Sequence, residues 1–330
     1  MKEYIALFIA LIVAAITYGT PLLFGTLGEI LTEKSGNLNL GVEGILFMGG
    51  AFGLGGVFYY EKLVSTPNGI VAVLIGIFFA FLAGALASLI FSFLTITLRT
   101  NQNVTGLALS IFGTGVGQFV GEFMRVREGG YVAIGNELKT FFVFSPFPKA
   151  LQNIPYVGNI LFGNSIFFYI AIALAVALHL YLKKSRSGLY LRAVGESPST
   201  ADSAGINVTR YKYLATIIGG GISAVGGMVY IVTTAGCVWN HEGLSGVGWL
   251  AVALVIFCTW RPLSAIWGSV LFGALMILYL RLQIKAIPTQ LYKILPYVVT
   301  VIVLVVSSMR NNKEKQPPEA LGLSYFREDR

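Results

Sequence analysis

Residues 28–56 read GEILTEKSGNLNLGVEGILFMGGAFGLGG. The stretch sits between apolar segments, yet it carries Glu29, Glu33, Lys34, Asn37, Asn39 and Glu43. A charged side chain at mid-bilayer costs roughly 2.5–3.5 kcal/mol on insertion scales, so a simple spanning helix does not collect this many. Gly36, Gly41 and Gly44 remove side-chain bulk and let the backbone leave the helical path. Irregular backbone is not tolerated against lipid. The stretch therefore reads as a broken or re-entrant segment facing a protein interior or a wet cavity, where transporters tend to place substrate contacts. The alternative is a short loop between two ordinary helices, which still leaves the polar cluster at the mouth of a pathway.

Its surroundings are those of a polytopic membrane protein. Of 330 residues, 55% are apolar and 12% charged, with a mean hydropathy of +0.76; a soluble domain carries about 25% charged residues. The net charge of +8 lies in short loops between apolar spans, which is the positive-inside pattern and not a nucleic-acid footprint. Cys237 and Cys258 sit in or beside apolar segments without CxxC spacing and read as packing residues. The first apolar segment has no small-residue cleavage site after it and reads as a retained helix.

Moving outward, spanning length of about 20 apolar residues is met or approached at 5–27, 40–60, 70–98, 104–124, 166–182, 213–235, 247–260, 263–280 and 290–308. The expected fold is all-α, with about 8–10 membrane helices, broken or re-entrant segments and an inverted repeat. The glycines of 40–60 read as close helix packing. Pro21 is a candidate kink. TNQN at 100–103 reads first as a cap for the next helix and second as a pathway group. The aromatic, proline-bearing segment 125–165 reads as an interfacial excursion. His179 reads as a packing or interface histidine.

The loop 183–212 concentrates Lys183, Lys184, Arg186, Arg192, Arg210 and Lys212, which assigns it to the cytoplasm. Its SPSTADSAG centre suits a short helix stopped at Gly205, which reads as a docking piece or as a plain solvated connector. GCVWNHEGLSGVGW, at 236–249, is a second glycine-rich polar interruption, and paired interruptions in the two halves of a chain point to a transporter site. Its His241-Glu242 does not extend to HExxH. Residues 281–288 read as a turn, and 309–330 as a flexible cytoplasmic tail behind Arg310, Lys313 and Lys315. Cytoplasmic loop and tail require an even number of crossings between them, which the four later spans satisfy. The side of the N-terminus stays open by one crossing.

Gly28-Glu29-Ile30 followed by SGNLNLGVEG (35–44), the loop GLYLRAVGESPSTADSAGIN (188–207) and the run GLSGVGWLAVALVIFCTWRPLSAIWGSVLFGAL (243–275) resemble permeases of bacterial ABC importers for nucleosides and simple sugars, in the group that includes ribose and branched-chain amino acid permeases. The likeness covers roughly residues 20–308. Departures are Glu196-Ser197, where Asn is frequent before Pro, and Trp260-Arg261-Pro262 in place of aromatic-Asn-Pro. The resemblance implies a permease domain over 1–308 in the bacterial cytoplasmic membrane. It implies a second homologous permease subunit, a cytoplasmic ABC ATPase and an extracytoplasmic substrate-binding lipoprotein. Asn37, Asn39, Gly41, Glu43 and Gly44 would form the signature near the substrate pathway. Gly188, Arg192, Gly195, Ala201, Gly205 and Ile206 would form the element that receives ATPase motion.

The chain has no GxxxxGK[ST] phosphate loop, so ATP would be hydrolysed by the partner and no cofactor or metal is expected here. Amide side chains, with aromatics such as Tyr18, Phe24 and Phe47, suit neutral, hydroxyl-rich substrates. The competing class is an ion-coupled secondary transporter or channel, with Glu29, Glu43 and Glu122 as proton-coupling groups. A membrane-embedded enzyme finds no catalytic or metal spacing.

Overall fold

The computed structural model describes residues 2–155, 157–281, 289–309 and 316–326. Of the turn expected at 281–288, Arg281 is the last residue of a helix and 282–288 lie outside them, as do the basic residues Arg310, Lys313 and Lys315. The described residues are helical and form no strand beyond one isolated bridge, Ala133 to Val238. In chain order the helices are α1 (Lys2–Glu33), α2 (Val42–Leu63), α3 (Gly69–Ser92), α4 (Gln102–Arg127), α5 (Asn136–Val143), α6 (Lys149–Gln152), α7 (Gly158–Phe162) and α8 (Ile166–Lys184). There follow α9 (Arg186–Glu196), α10 (Pro198–Ser203), α11 (Val208–Val229), α12 (His241–Leu244), α13 (Val247–Phe257), α14 (Pro262–Arg281) and α15 (Thr289–Met309). A π-helical turn extends α3 over Phe93–Thr97 and another extends α11 over Tyr230–Thr234.

Six helices are long and apolar enough to cross a membrane, and α13, α14 and α15 are the remaining apolar pieces at the expected positions. Two of the six are set apart. The apolar windows of α2 and of extended α11 are 83% buried, against 28–44% for the other four. Apolar attraction does not drive helices together in lipid; close backbone approach does. A Cβ on Gly49 of α2 would overlap the backbone of Ala224 on α11, 2.6 Å from its Cα. Gly44 of α2 meets Gly113 of α4 in the same way, each leaving a Cβ only 2.6–3.0 Å from the facing backbone. The small residues of 40–60 therefore pack α2 between α4 and α11. Around this pair, α1 lies along α11, α14 and α13, while α3 covers α2 and α11.

Two expectations are corrected. The first break does not start at Gly28: α1 runs through Pro21 to Glu33, and only Lys34–Gly41 leaves the helix. The tail is not loose throughout: residues 316–326 form a strap, fixed by Ala320 N donating to Gly195 O (3.0 Å) and Gly322 N to Gly36 O (3.2 Å). Gln102 Nε2 donates to Leu323 O at 3.3 Å, and Tyr325 OH to Asp202 Oδ2 at 2.9 Å. The strap lies at the end of the bundle that carries α9 and α10. Segment 125–165 gathers at the opposite end, where its short helices and the Ala133 bridge hold it.

Candidate functional site

The two interruptions meet at one carboxylate. Glu43, in the first turn of α2, accepts Gly246 N on Oε1 at 2.6 Å, and Gly248 N and Trp249 N on Oε2 at 2.7 and 3.3 Å. These amides open α13, and the first four N–H groups of a helix have no partner within it. An anionic group there also faces the positive end of the helix dipole. Gly246 reaches the geometry with φ +88°, which glycine adopts without strain. Gly248 has no room for a side chain: its Cβ would lie 2.8 Å from Glu43 Oε2. Glu43 is therefore an N-cap supplied from another helix. It ties residues expected at one break to backbone expected at the other.

The first break is closed by side chains. Asn37 Nδ2 donates to Thr216 Oγ1 of α11 at 2.8 Å, and Leu38 N donates to Gln102 Oε1 of α4 at 2.7 Å. Asn39 N donates to Glu29 Oε1 of α1 at 3.2 Å, while Asn39 Oδ1 accepts Gly41 N at 2.9 Å. Asn37 and Asn39 are fully buried, yet Asn37 Oδ1 and Asn39 Nδ2 have no partner among the described residues. Glu29 and Glu33 are both buried, one turn apart at the end of α1, and Glu33 accepts the indole N–H of Trp260. Trp260 and Thr259 reach this position with positive φ, 54° and 51°. The other members of the expected pathway set, Gly41 and Gly44, pack against α4: Cβ atoms there would lie 2.6 Å from Leu109 Cδ2 and from Leu109 O. Phe24 and Phe47 are core residues.

The loop expected to receive ATPase motion is two helices. Ser185 caps α9 by accepting Gly188 N at 2.9 Å, and Ser197 caps α10, which stops before Gly205 at φ +81°. Of the expected set, Gly188, Gly195 and Ala201 are buried, and Ile206 packs against Val194, Ala201 and Val208. Arg192 and Gly205 are exposed. Gly195 allows α9 to lie directly on the first break; its Cβ would sit 3.1 Å from Lys34 C and 3.3 Å from Gly36 N. Burial holds the Lys34 ammonium below its usual range, Glu196 and Glu33 work against that, and Arg192 and Arg261 add to it.

Residues outside the expected set complete the constellation: Thr216, Gln102, Trp260 and the strap. Gln102 stood in TNQN, where the capping expectation holds for its neighbour Asn101, which accepts Val104 N at 3.1 Å. In the second break the conspicuous side chains turn outward. Asn240 caps Gly243 N, and His241 faces Glu122 at 3.5 Å at the far end of the bundle. Glu122 also pairs with Arg125 at 2.6 Å, away from Glu29 and Glu43. Both cysteines are free and buried, and burial pushes the Cys237 thiol up to about 12. Among the described residues no group of His, Cys, Asp and Glu is placed to hold a metal.

The chain is similar to known membrane transport proteins. A putative glucose ABC transporter permease from Haloferax volcanii is 32% identical over 96% of this chain and 97% of its own length. A guanosine ABC transporter permease from Bacillus subtilis is 32% identical over 95% of each chain. A nucleoside ABC transporter permease from Lactococcus lactis is 32% identical over 87% of this chain and 88% of its own. Residues 11–304 match the family described as the permease component of the branched-chain amino acid transport system, and the chain belongs to that family of membrane permeases.

Proposed function

We propose that the chain is one permease subunit of an importer for nucleosides, with simple sugars as the second substrate class, driven by a separate ABC ATPase that binds and hydrolyses the ATP. The observation that carries the reading is the set of relatives matched over nearly their whole length and named for nucleoside, guanosine and glucose transport. The geometry supports the division of labour. Exposed Arg192 and the outer faces of α9 and α10 are free for an ATPase, and their inner side rests on Lys34 and Gly36 of the first break. Motion of the pair is thus delivered to the segment that holds Asn37, Asn39 and Glu43. The unpaired Asn37 Oδ1 and Asn39 Nδ2 suit the hydroxyls and amides of a neutral substrate once the break opens.

The basic loop and tail are cytoplasmic by charge. Counting α13 with the irregular chain before it as one crossing gives nine, which sets the start of α1 on the outer face of the cytoplasmic membrane. A second homologous permease and an extracytoplasmic binding lipoprotein complete the assembly. The test is to purify the tagged chain from gently solubilised membranes, identify what accompanies it, and measure uptake of radiolabelled guanosine and glucose in cells with and without it. An accompanying ATPase and chain-dependent guanosine uptake are expected. A chain that transports alone under an ion gradient overturns the reading.

A further inference from the structure

Between α1, α8, α9 and α11 lies a cavity of about 340 Å³, within the size range of small-molecule sites, roughly 300–1,000 Å³. Its walls are one face of α8, from Leu174 to Tyr181, and one face of α11, from Tyr211 to Ile222, together with Leu31 of α1 and Leu191 of α9. α8 leads into the basic loop and α11 leads out of it, so Tyr181 and Tyr211 mark one end and Leu174 and Ile222 the other. At about 1.5 Å per residue these faces run roughly 11 and roughly 16 Å, the depth of one leaflet's hydrocarbon, roughly 15 Å. The two ends differ in chemistry. The polar side chains on the wall are three hydroxyls, all at the loop end: Tyr181 OH and Ser187 Oγ lie 3.1 Å apart, and Ser187 Oγ donates to Tyr211 OH at 3.5 Å. Lys184 stands on the same face of α8, one turn beyond Tyr181, and Lys183 and Arg186 lie beside it in sequence. All three cations are exposed, and among the described residues no carboxylate is paired with them. The rest of the wall is apolar, which leaves a sugar or nucleoside little to hydrogen-bond.

We propose that this cavity seats an acyl chain of an anionic phospholipid, with its phosphate at the Tyr181, Ser187 and Tyr211 hydroxyls beside Lys183, Lys184 and Arg186. An apolar slot with hydroxyls and unpaired cations at one end has the polarity of a lipid standing in its leaflet. Ala177, Leu214 and Ile218 are exposed along the wall, so the slot opens sideways to the bilayer. A helix with its side chains is about 10–12 Å across, and a length of it matching the slot fills roughly twice this volume or more, so an acyl chain fits where a partner's helix does not. The lipid would also bear on the loop expected to receive ATPase motion: Leu191, on the wall, lies one turn before Gly195, which rests on the first break. The choice of leaflet rests on the cytoplasmic side proposed above for the loop; lipid binding is read without transport, so the two stand or fall separately.

The test is thermal unfolding of the purified permease, with whatever partners it retains, in nanodiscs of phosphatidylcholine with increasing phosphatidylglycerol, together with mass spectrometry of the lipid that stays bound after mild delipidation. Glycerol 3-phosphate serves as a phosphate without a chain. A saturable rise in melting temperature with phosphatidylglycerol, its retention in preference to phosphatidylcholine, and no response to glycerol 3-phosphate are expected. Lys183→Gln combined with Lys184→Gln should weaken the response roughly tenfold or more. Its melting temperature in phosphatidylcholine alone should match the parent's, because both positions are exposed. Ala177→Phe keeps every cation and fills the slot from an exposed position, and it should abolish the response. Equal responses to the two lipids, or a response that the paired lysine variant leaves unchanged, overturns the proposal. A response lost with the lysines but kept in Ala177→Phe would be charge attraction at the surface alone and overturns it as well, as does a cross-link from Ala177→Cys to a second permease chain.

Discussion

Between Lys34 and Gly41 the chain leaves the helix, and side chains from α1, α4 and α11 meet its polar groups. Between Gly236 and Gly246 it leaves the long helices again, with only the single turn of α12 inside, and the backbone meets itself: Cys237 N donates to Ile231 O, Ile134 N to Cys237 O and Trp239 N to Val132 O. Left-handed residues at Gly236, Cys237 and Gly246 set that path. Among the described residues, the backbone of the second interruption meets a distant carboxylate only where it enters α13, and that carboxylate is Glu43. The first break is held redundantly by several modest contacts. The opening amides of the helix that follows the second are held by one carboxylate. Substitutions should therefore spread their effects over the first break and concentrate them at the start of α13.

Glu43→Leu tests the concentrated side and has the largest expected effect. It strands three amides in a buried site, and each unpaired buried donor costs about 1–3 kcal/mol. The purified variant should unfold at markedly lower temperature and support no uptake. Glu43→Gln keeps the shape and one acceptor but turns an amide N–H toward donors, so intermediate loss is expected. Equal stability of parent and Glu43→Leu would show that α13 does not depend on this cap.

Gly195→Leu tests whether the loop acts through the first break. The added side chain must push α9 off Lys34 and Gly36, and overpacking of this kind costs about 1–3 kcal/mol. Uptake should fall while ATP hydrolysis by the assembled complex continues, which a ratio of substrate moved to ATP consumed reads directly. Normal coupling would remove the α9 contact from the mechanism. Charge reversal at exposed Arg192 should weaken ATPase association instead, leaving the melting temperature unchanged.

Gln102→Leu is the next smaller step. It removes the acceptor of Leu38 N and the donor to Leu323 O together, detaching the strap from the break. A loss of about 1–2 kcal/mol is expected, with faster proteolysis of the strap as the local readout. Protection equal to the parent's would mean that Tyr325 and Ala320 hold the strap without it.

These residues also mark how far the sequence could be read. Spans follow from apolar length, so the nine helical pieces were accessible from composition and spacing alone. Polar groups inside apolar sequence advertised Glu43 and the Asn37–Asn39 pair, because their cost demands a reason. What they touch was not accessible. Glu43 and Gly246 are 203 positions apart, and no local pattern encodes that pairing. The strap misled for a related reason: its polar, proline-bearing composition matches a flexible tail, while its order comes from carbonyls of Gly36 and Gly195 that only the fold brings together. The glycines of the family motif were visible as motif, and the backbones that need them small were not.

Asn37 gives the smallest stability effect and the sharpest division between holding the break and serving what passes through it. Its one side-chain bond goes to Thr216 Oγ1 at 2.8 Å, and that hydroxyl also donates to Lys212 O at 2.8 Å. Thr216 therefore keeps a partner when Asn37 is lost. Asn37 Oδ1 already has none, so the resting state bears a cost that Asn37→Leu relieves. The two changes oppose one another, and the variant should melt within about 1 kcal/mol of the parent. If the amide served only to close the break, uptake would follow stability and stay near normal. A buried polar group left unpaired in a fold that satisfies its neighbours is better explained by a partner that arrives during the cycle. Uptake by Asn37→Leu should then fall several-fold at unchanged stability, with the apparent KM for the substrate raised. Unchanged uptake would make Asn37 a structural residue and leave Asn39 Nδ2 as the next atom of the break to test.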